Sequence, residues 1–139
     1  MNLRLTPMAA LLFLGGCATG GLDGATASDK APQSASAAIV GAMNGGLVGG
    51  SIGADLVAGD RRMALEAEYR ALEYTPVGQP VRWKGASAGV YGEVVAAAPY
   101  RVGSQDCRQY TQTVTSNGNT RTARGTACRN PDGSWTPLT

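Results

Sequence analysis

The chain has 139 residues, with twelve Lys and Arg against ten Asp and Glu, three cysteines and no histidine. Without histidine, a Ser-His-Asp or Cys-His nucleophilic site is excluded. So even a charge balance leaves no basic footprint for nucleic acid.

The N-terminus reads "MNLRLTPMAALLFLGGC": Arg4, an apolar run from Met8 to Leu14, then Gly15, Gly16 and Cys17. A charged start, a short apolar core and small residues before a cut site predict a secretory signal over residues 1–16, too short to span a bilayer. A cysteine directly after the small residues resembles a bacterial lipobox, so Cys17 is the expected lipidation site. The alternative is an ordinary signal peptide that happens to contain a cysteine. Ala18 stands where an aspartate would signal inner-membrane retention, which favours the outer membrane. A chain beginning at Cys17 carries eleven basic and ten acidic residues, and from Arg61 onward ten basic and six acidic. That mild excess fits a solvated face, or an anionic envelope surface.

Residues 17–37 are small, polar and rich in Gly, Ser and Ala, which predicts a flexible tether behind the lipid. Residues 38–59 contain "VGAMNGGLVGGSIGADLV". Gly41, Gly45, Gly49 and Gly53 fall on a four-residue step among Val40, Met43, Leu47, Val48, Ile52 and Leu56, with no charge from Ala38 to Ala54. Linkers avoid such apolar residues. The spacing predicts a glycine-zipper helix whose flat groove admits another backbone, giving self-association or membrane packing. Whether it spans, lies in the interface or pairs with copies of itself is open, as is the reading as a glycine-rich linker.

An amphipathic helix is expected over residues 60–76, with Asp60 as N-cap. Leu65, Tyr69 and Leu72 recur at helical spacing, and Glu66 is placed to meet Arg70. Thr75-Pro76 ends it. Residues 77–139 then change to alternating β-branched and aromatic runs with Gly and Pro punctuation, predicting a small antiparallel β-domain. At this size one core is marginal and a staple is expected.

Asn117-Gly118 is a type I′ hairpin signal that sets Ser116 opposite Asn119. Carried back along the ladder, the register brings Cys107 opposite Cys128 at a non-hydrogen-bonded pair, and Tyr110 opposite Gly125. An exported chain with Cys17 acylated leaves these two cysteines to pair. A metal pair or free thiols are poorer readings in a chain without histidine. Trp83, Trp135, Tyr91, Tyr100 and Tyr110 are expected to form the β-domain core. A second reading gathers Trp83, Arg108, Arg129 and Trp135 into an interaction patch.

A lipobox, then "GAMNGGLVGGSIGADL", "DRRMALEAEYRALEY" and a β-domain ending "TARGTACRNPDGSW" resemble the rickettsial seventeen-kilodalton surface antigen family of outer-membrane lipoproteins. The paired Cys-Arg dipeptides (Cys107-Arg108, Cys128-Arg129) and the "DGSW" tail are the most specific parts. The resemblance implies a surface or envelope antigen with no established catalytic activity, so it carries over no active-site residues; no cofactor beyond the lipid on Cys17 and no metal are expected. The expected fold is α+β: lipidated N-terminus, glycine zipper, amphipathic helix and disulfide-stapled β-domain. Expected partners are the outer membrane, other copies of the chain, and an envelope protein or glycan. The alternative function is a periplasmic or surface binding or inhibitor module whose β-domain captures a protein or glycan.

Overall fold

The computed structural model describes residues 41–138. Cys17 and the tether over residues 17–37 lie outside the described residues. The helix α1 (Ala58–Tyr74) is followed by six strands: β1 (Pro80–Lys84), β2 (Tyr91–Ala96), β3 (Tyr100–Val102), β4 (Gln105–Ser116), β5 (Asn119–Arg129) and β6 (Trp135–Pro137). They form one antiparallel sheet in the order β1-β2-β4-β5-β6. β3 takes the end of β4 that β2 leaves free.

The long β4–β5 hairpin follows from its turn. Asn117 and Gly118 both have positive φ, 51° and 76°, as a type I′ turn demands. From there the ladder runs without a bulge to Cys107 opposite Cys128, and Tyr110 stands across from Gly125. The cysteines are bonded, with Cα atoms 4.0 Å apart, inside a buried end of the sheet. Reducing this bond is expected to cost about 3 kcal/mol for a loop of this length, and to lower Tm by roughly 10–20 °C. Melting curves with and without reductant check it.

Alternation along β4 assigns the two faces. Arg108, Tyr110, Gln112, Val114 and Ser116 point inward and are buried, while Gln109, Thr111, Thr113 and Thr115 point outward. The helix lies on the inward face through Ala64, Leu65, Ala67, Ala71 and Leu72. Its alanines let the backbone come close to the sheet.

The glycine-rich segment differs from the expected zipper helix. Gly41 and Ala42 are helical, but the chain then leaves the helix and makes two 3₁₀ turns, Leu47–Gly49 and Ser51–Gly53. Gly45 and Gly46 have φ of 83° and 57°, in the left-handed region that ends a right-handed helix. The row Gly41, Gly45, Gly49, Gly53 therefore does not form one helix face among the described residues. Instead residues 43–57 make a strap folded back on the domain. Met43, Val48, Ile52 and Leu56 are buried in the same core cluster as Val94, Tyr110, Val114 and Trp135. The strap, expected as a separate zipper, closes a single core with the helix and the sheet.

The helix begins two residues before the expected start, and Asp60 is not its N-cap. Val57, extended, holds that position without a side-chain cap. Asp60 sits in the first turn, 1% exposed, and its Oδ1 accepts the amides of Ala86 at 2.8 Å and Ser87 at 3.4 Å. It ties the helix to the β1–β2 loop rather than capping its own turn. The hydrogen bond from the Ser87 hydroxyl is the largest influence lowering its pKa, with the two backbone amides adding and burial opposing. No ion pair joins Glu66 to Arg70 among the described residues. The C-terminus falls at Thr75, next to Pro76, as the sequence predicts.

Candidate functional site

The expected aromatic core is only partly formed. Trp83, Tyr110 and Trp135 are buried, but Tyr91 is 53% and Tyr100 43% exposed. The cause is pairing parity: Tyr91 stands opposite Thr115 and Tyr100 opposite Cys107, on the outward side of the sheet.

Trp83, Arg108, Arg129 and Trp135 do not make an interaction patch either. Trp83 is 5% exposed and its ring packs over Gly92, its partner across β1–β2. Arg108 is 6% exposed. Its Nη1 donates to the carbonyls of Ala71 (3.1 Å), Leu72 (2.8 Å) and Thr75 (3.1 Å), and its Nε to Ala97 (2.8 Å). A cation thus satisfies the orphan carbonyls at the end of α1, where the helix dipole favours it. Its pKa is lowered by burial, without leaving the charged range of a guanidinium.

Arg129 and Trp135 do come together, through Glu73. The Arg129 Nε and Nη2 bind the two oxygens of Glu73, both at 2.9 Å, and Trp135 Nε1 donates to the same carboxylate at 2.7 Å. The Arg129 hydrogen bond chiefly holds the Glu73 pKa down, with Trp135 adding and burial opposing. These residues fasten the last turn of the helix to β5 and β6. Their chemistry is structural.

The sequence reading missed the group that holds the strap. Glu68, fully buried, lies midway along α1. Its Oε2 accepts the amide of Leu47 and its Oε1 that of Val48, each at 3.0 Å. The Gln112 amide, turned so that its nitrogen faces Glu68, donates to Oε1 while its oxygen accepts from Trp83 Nε1 at 3.3 Å. The Tyr110 hydroxyl is buried beside the carboxylate and makes no well-formed hydrogen bond. Gly46 is required here. Besides its positive φ, a Cβ at this position would run into Glu68 Oε2. Gly53 is required for a different reason, since a Cβ there would collide with the Val48 carbonyl. Arg61 adds two bonds, Nη2 to the carbonyls of Gly53 (3.2 Å) and Leu56 (3.1 Å). Arg121 adds one to Ser51 O and an ion pair with Asp55 at 2.9 Å. A sequence signal existed: Glu68 falls on the stripe of Ala64, Leu65, Ala71 and Leu72, where a solvated carboxylate does not belong.

The outward sheet face carries no covering element among the described residues. Hydroxyls pair across it, Thr113 with Thr122 at 3.2 Å and Thr115 with Thr120 at 2.9 Å. Arg82, Lys84 and Arg124 share this face by register, with Arg82 and Glu93 3.6 Å apart. A shallow cleft of about 410 Å³ opens beside Arg124, between Val77, Gly78, Val95 and Thr111. No three His, Cys, Asp or Glu side chains gather as a metal cage would require, and no helix is long and apolar enough to cross a membrane, among the described residues.

The family described as 17 kDa outer membrane surface antigen matches residues 70–136. A 17 kDa surface antigen of Rickettsia bellii (strain RML369-C) is 45% identical over 85 residues, covering 60% of this chain and 54% of the relative. The 17 kDa surface antigen of Rickettsia conorii (strain ATCC VR-613 / Malish 7) is 47% identical over 77 residues, covering 55% and 48%. That of Rickettsia australis is 47% identical over 75 residues, covering 53% and 49%. The chain thus spans about half the length of the curated relatives it matches. No solved structure matches. The matched stretch holds the end of α1, the sheet up to Thr136, the disulfide and the Glu73–Arg129–Trp135 cluster. Residues 70–136, a little under half of the chain, thus match the 17 kDa outer membrane surface antigen family.

Proposed function

We propose that this chain is a non-enzymatic outer-membrane lipoprotein, anchored by an acyl group on Cys17, that displays its disulfide-stapled domain to other components of the envelope. The observation that carries the reading is the cysteine pairing. Cys107 and Cys128 are bonded to each other, which leaves Cys17, behind its small residues, as the one cysteine to accept lipid. The family description, an outer membrane surface antigen, supports the location and names no catalytic activity. Since Trp83, Arg108 and Trp135 are buried and Arg129, half-exposed, is paired with Glu73, the face offered to an envelope protein or glycan is the outward sheet face, with Lys84, Tyr91, Arg124 and its threonines. Self-association through Gly41, Gly45, Gly49 and Gly53 as one helix face is not part of this reading, because Gly45, Gly49 and Gly53 turn within the strap.

Palmitate labelling with detergent-phase partitioning tests the anchor. The natural chain is expected to take up label and enter the detergent phase, and Cys17→Ser to do neither. A Cys17→Ser chain still fractionating with the outer membrane would sink the lipid-anchor claim.

A further inference from the structure

The strap is a segment of the chain's own backbone held on a buried acid. We propose that the Glu68 carboxylate and the Leu47 and Val48 amides form a proton-operated latch that docks and releases the glycine-rich strap, residues 43–57.

The geometry has three parts. First, both carboxylate oxygens are committed to the strap, one backbone amide each at 3.0 Å, across twenty and twenty-one residues of sequence. Nothing else joins the middle of α1 to the first 3₁₀ turn by hydrogen bonds. Second, Gly46 brings the backbone so close that no side chain fits between strap and acid. A change in the carboxylate is therefore felt directly by the strap. Third, no cation pairs with the acid among the described residues. The groups facing it are the strap amides, the Gln112 amide and the Tyr110 phenol from β4, with Trp83 of β1 reached only through Gln112. Of these only Tyr110 titrates, and burial, with Glu68 beside it, pushes its pKa far up. The phenol therefore stays neutral while Glu68 changes charge.

Burial is the largest influence on Glu68 and pushes its pKa up to about 7, against the lowering effect of the Leu47 and Val48 amides and Tyr110. The sign follows. A raised pKa in the docked form means that docking binds a proton, so docking is strongest below the ordinary carboxylate range and weakens as pH rises through about 7. With the strap away, Glu68 faces water and regains its ordinary value. The latch therefore works near neutrality, where an envelope protein meets its surroundings.

Amide hydrogen exchange on the full chain, corrected for the intrinsic pH dependence of exchange, tests the proposal. Protection of the Leu47 and Val48 amides is expected to fall on the order of ten- to thirtyfold between pH 5.5 and 8.5. The β4 amides of Tyr110 and Gln112 should keep theirs. In Glu68→Gln, which keeps the shape and removes the titration, the pH slope should vanish. Unchanged protection at Leu47 and Val48, or the same slope in Glu68→Gln, would overturn the proposal. Should Glu68→Gln fail to fold, the Glu68 carboxyl resonance of the natural chain decides. A midpoint near 7 shared with the Leu47 and Val48 amide shifts supports the latch, and one in the ordinary range near 4–5 removes it.

Discussion

A chain cut back to the family-matched stretch, residues 70–136, is expected to lose cooperative unfolding altogether. The cut removes Met43, Val48, Ile52, Leu56, Ala64, Leu65 and Ala67, all buried in the single core cluster. It also removes Glu68 and all but the last turns of α1. Truncating even one large core side chain costs about 2–5 kcal/mol. Four or five together exceed the whole stability of a typical domain, about 5–15 kcal/mol. The inward face of the sheet, with Val94, Tyr110 and Val114, would then lie open to water. A chain starting at residue 41 keeps strap, helix and sheet and is expected to unfold in one transition. Urea titration followed by the fluorescence of Trp83 and Trp135 checks both. A sharp transition in the 70–136 chain at the same midpoint would show that the sheet closes its core without the strap.

This expectation reverses a boundary that the sequence suggests. Residues 38–59 read as a unit of their own because glycine at a four-residue step suits a close-packed helix. The same spacing also suits a chain of tight turns, and the local pattern does not separate the two. What decides is distant: a carboxylate some twenty residues away, buried where it must find donors. The strap supplies them as backbone amides. The hairpin was legible for the opposite reason. Its register is set by two adjacent residues, Asn117 and Gly118, and everything up to the disulfide follows by counting. The aromatic residues fall between these cases. Placing Tyr91 on the outward face requires knowing that β2 pairs with β4 so that Tyr91 meets Thr115. Alternation within β2 alone does not settle which side is inside. The charged side chains were the least legible. Arg108, Arg129 and Glu73 look like surface groups until the helix end arrives beside them.

Arg108 is where that last difference has its largest consequence. Arg108→Ala is expected to destabilise the domain by about 3 kcal/mol, the scale of breaking a buried charged hydrogen-bond network, and to lower Tm by on the order of 15 °C. The carbonyls of Ala71, Leu72, Thr75 and Ala97 would each lose a donor at 2.8–3.1 Å, in a place where little water reaches. The C-terminal end of α1 would also lose the cation that complements its dipole. Arg108→Lys keeps the charge, but one ammonium does not reproduce a planar fork directed at carbonyls on both the helix end and the Ala97 turn. It is expected to recover only about half of the loss. Thermal melts of the three chains measure this order, natural above Lys above Ala. A surface residue serving only partner capture would behave differently: Arg108→Ala would then melt within a degree or two of the natural chain. The graded loss of stability, with the lysine variant in between, is the result that a guanidinium clamped to the helix terminus requires.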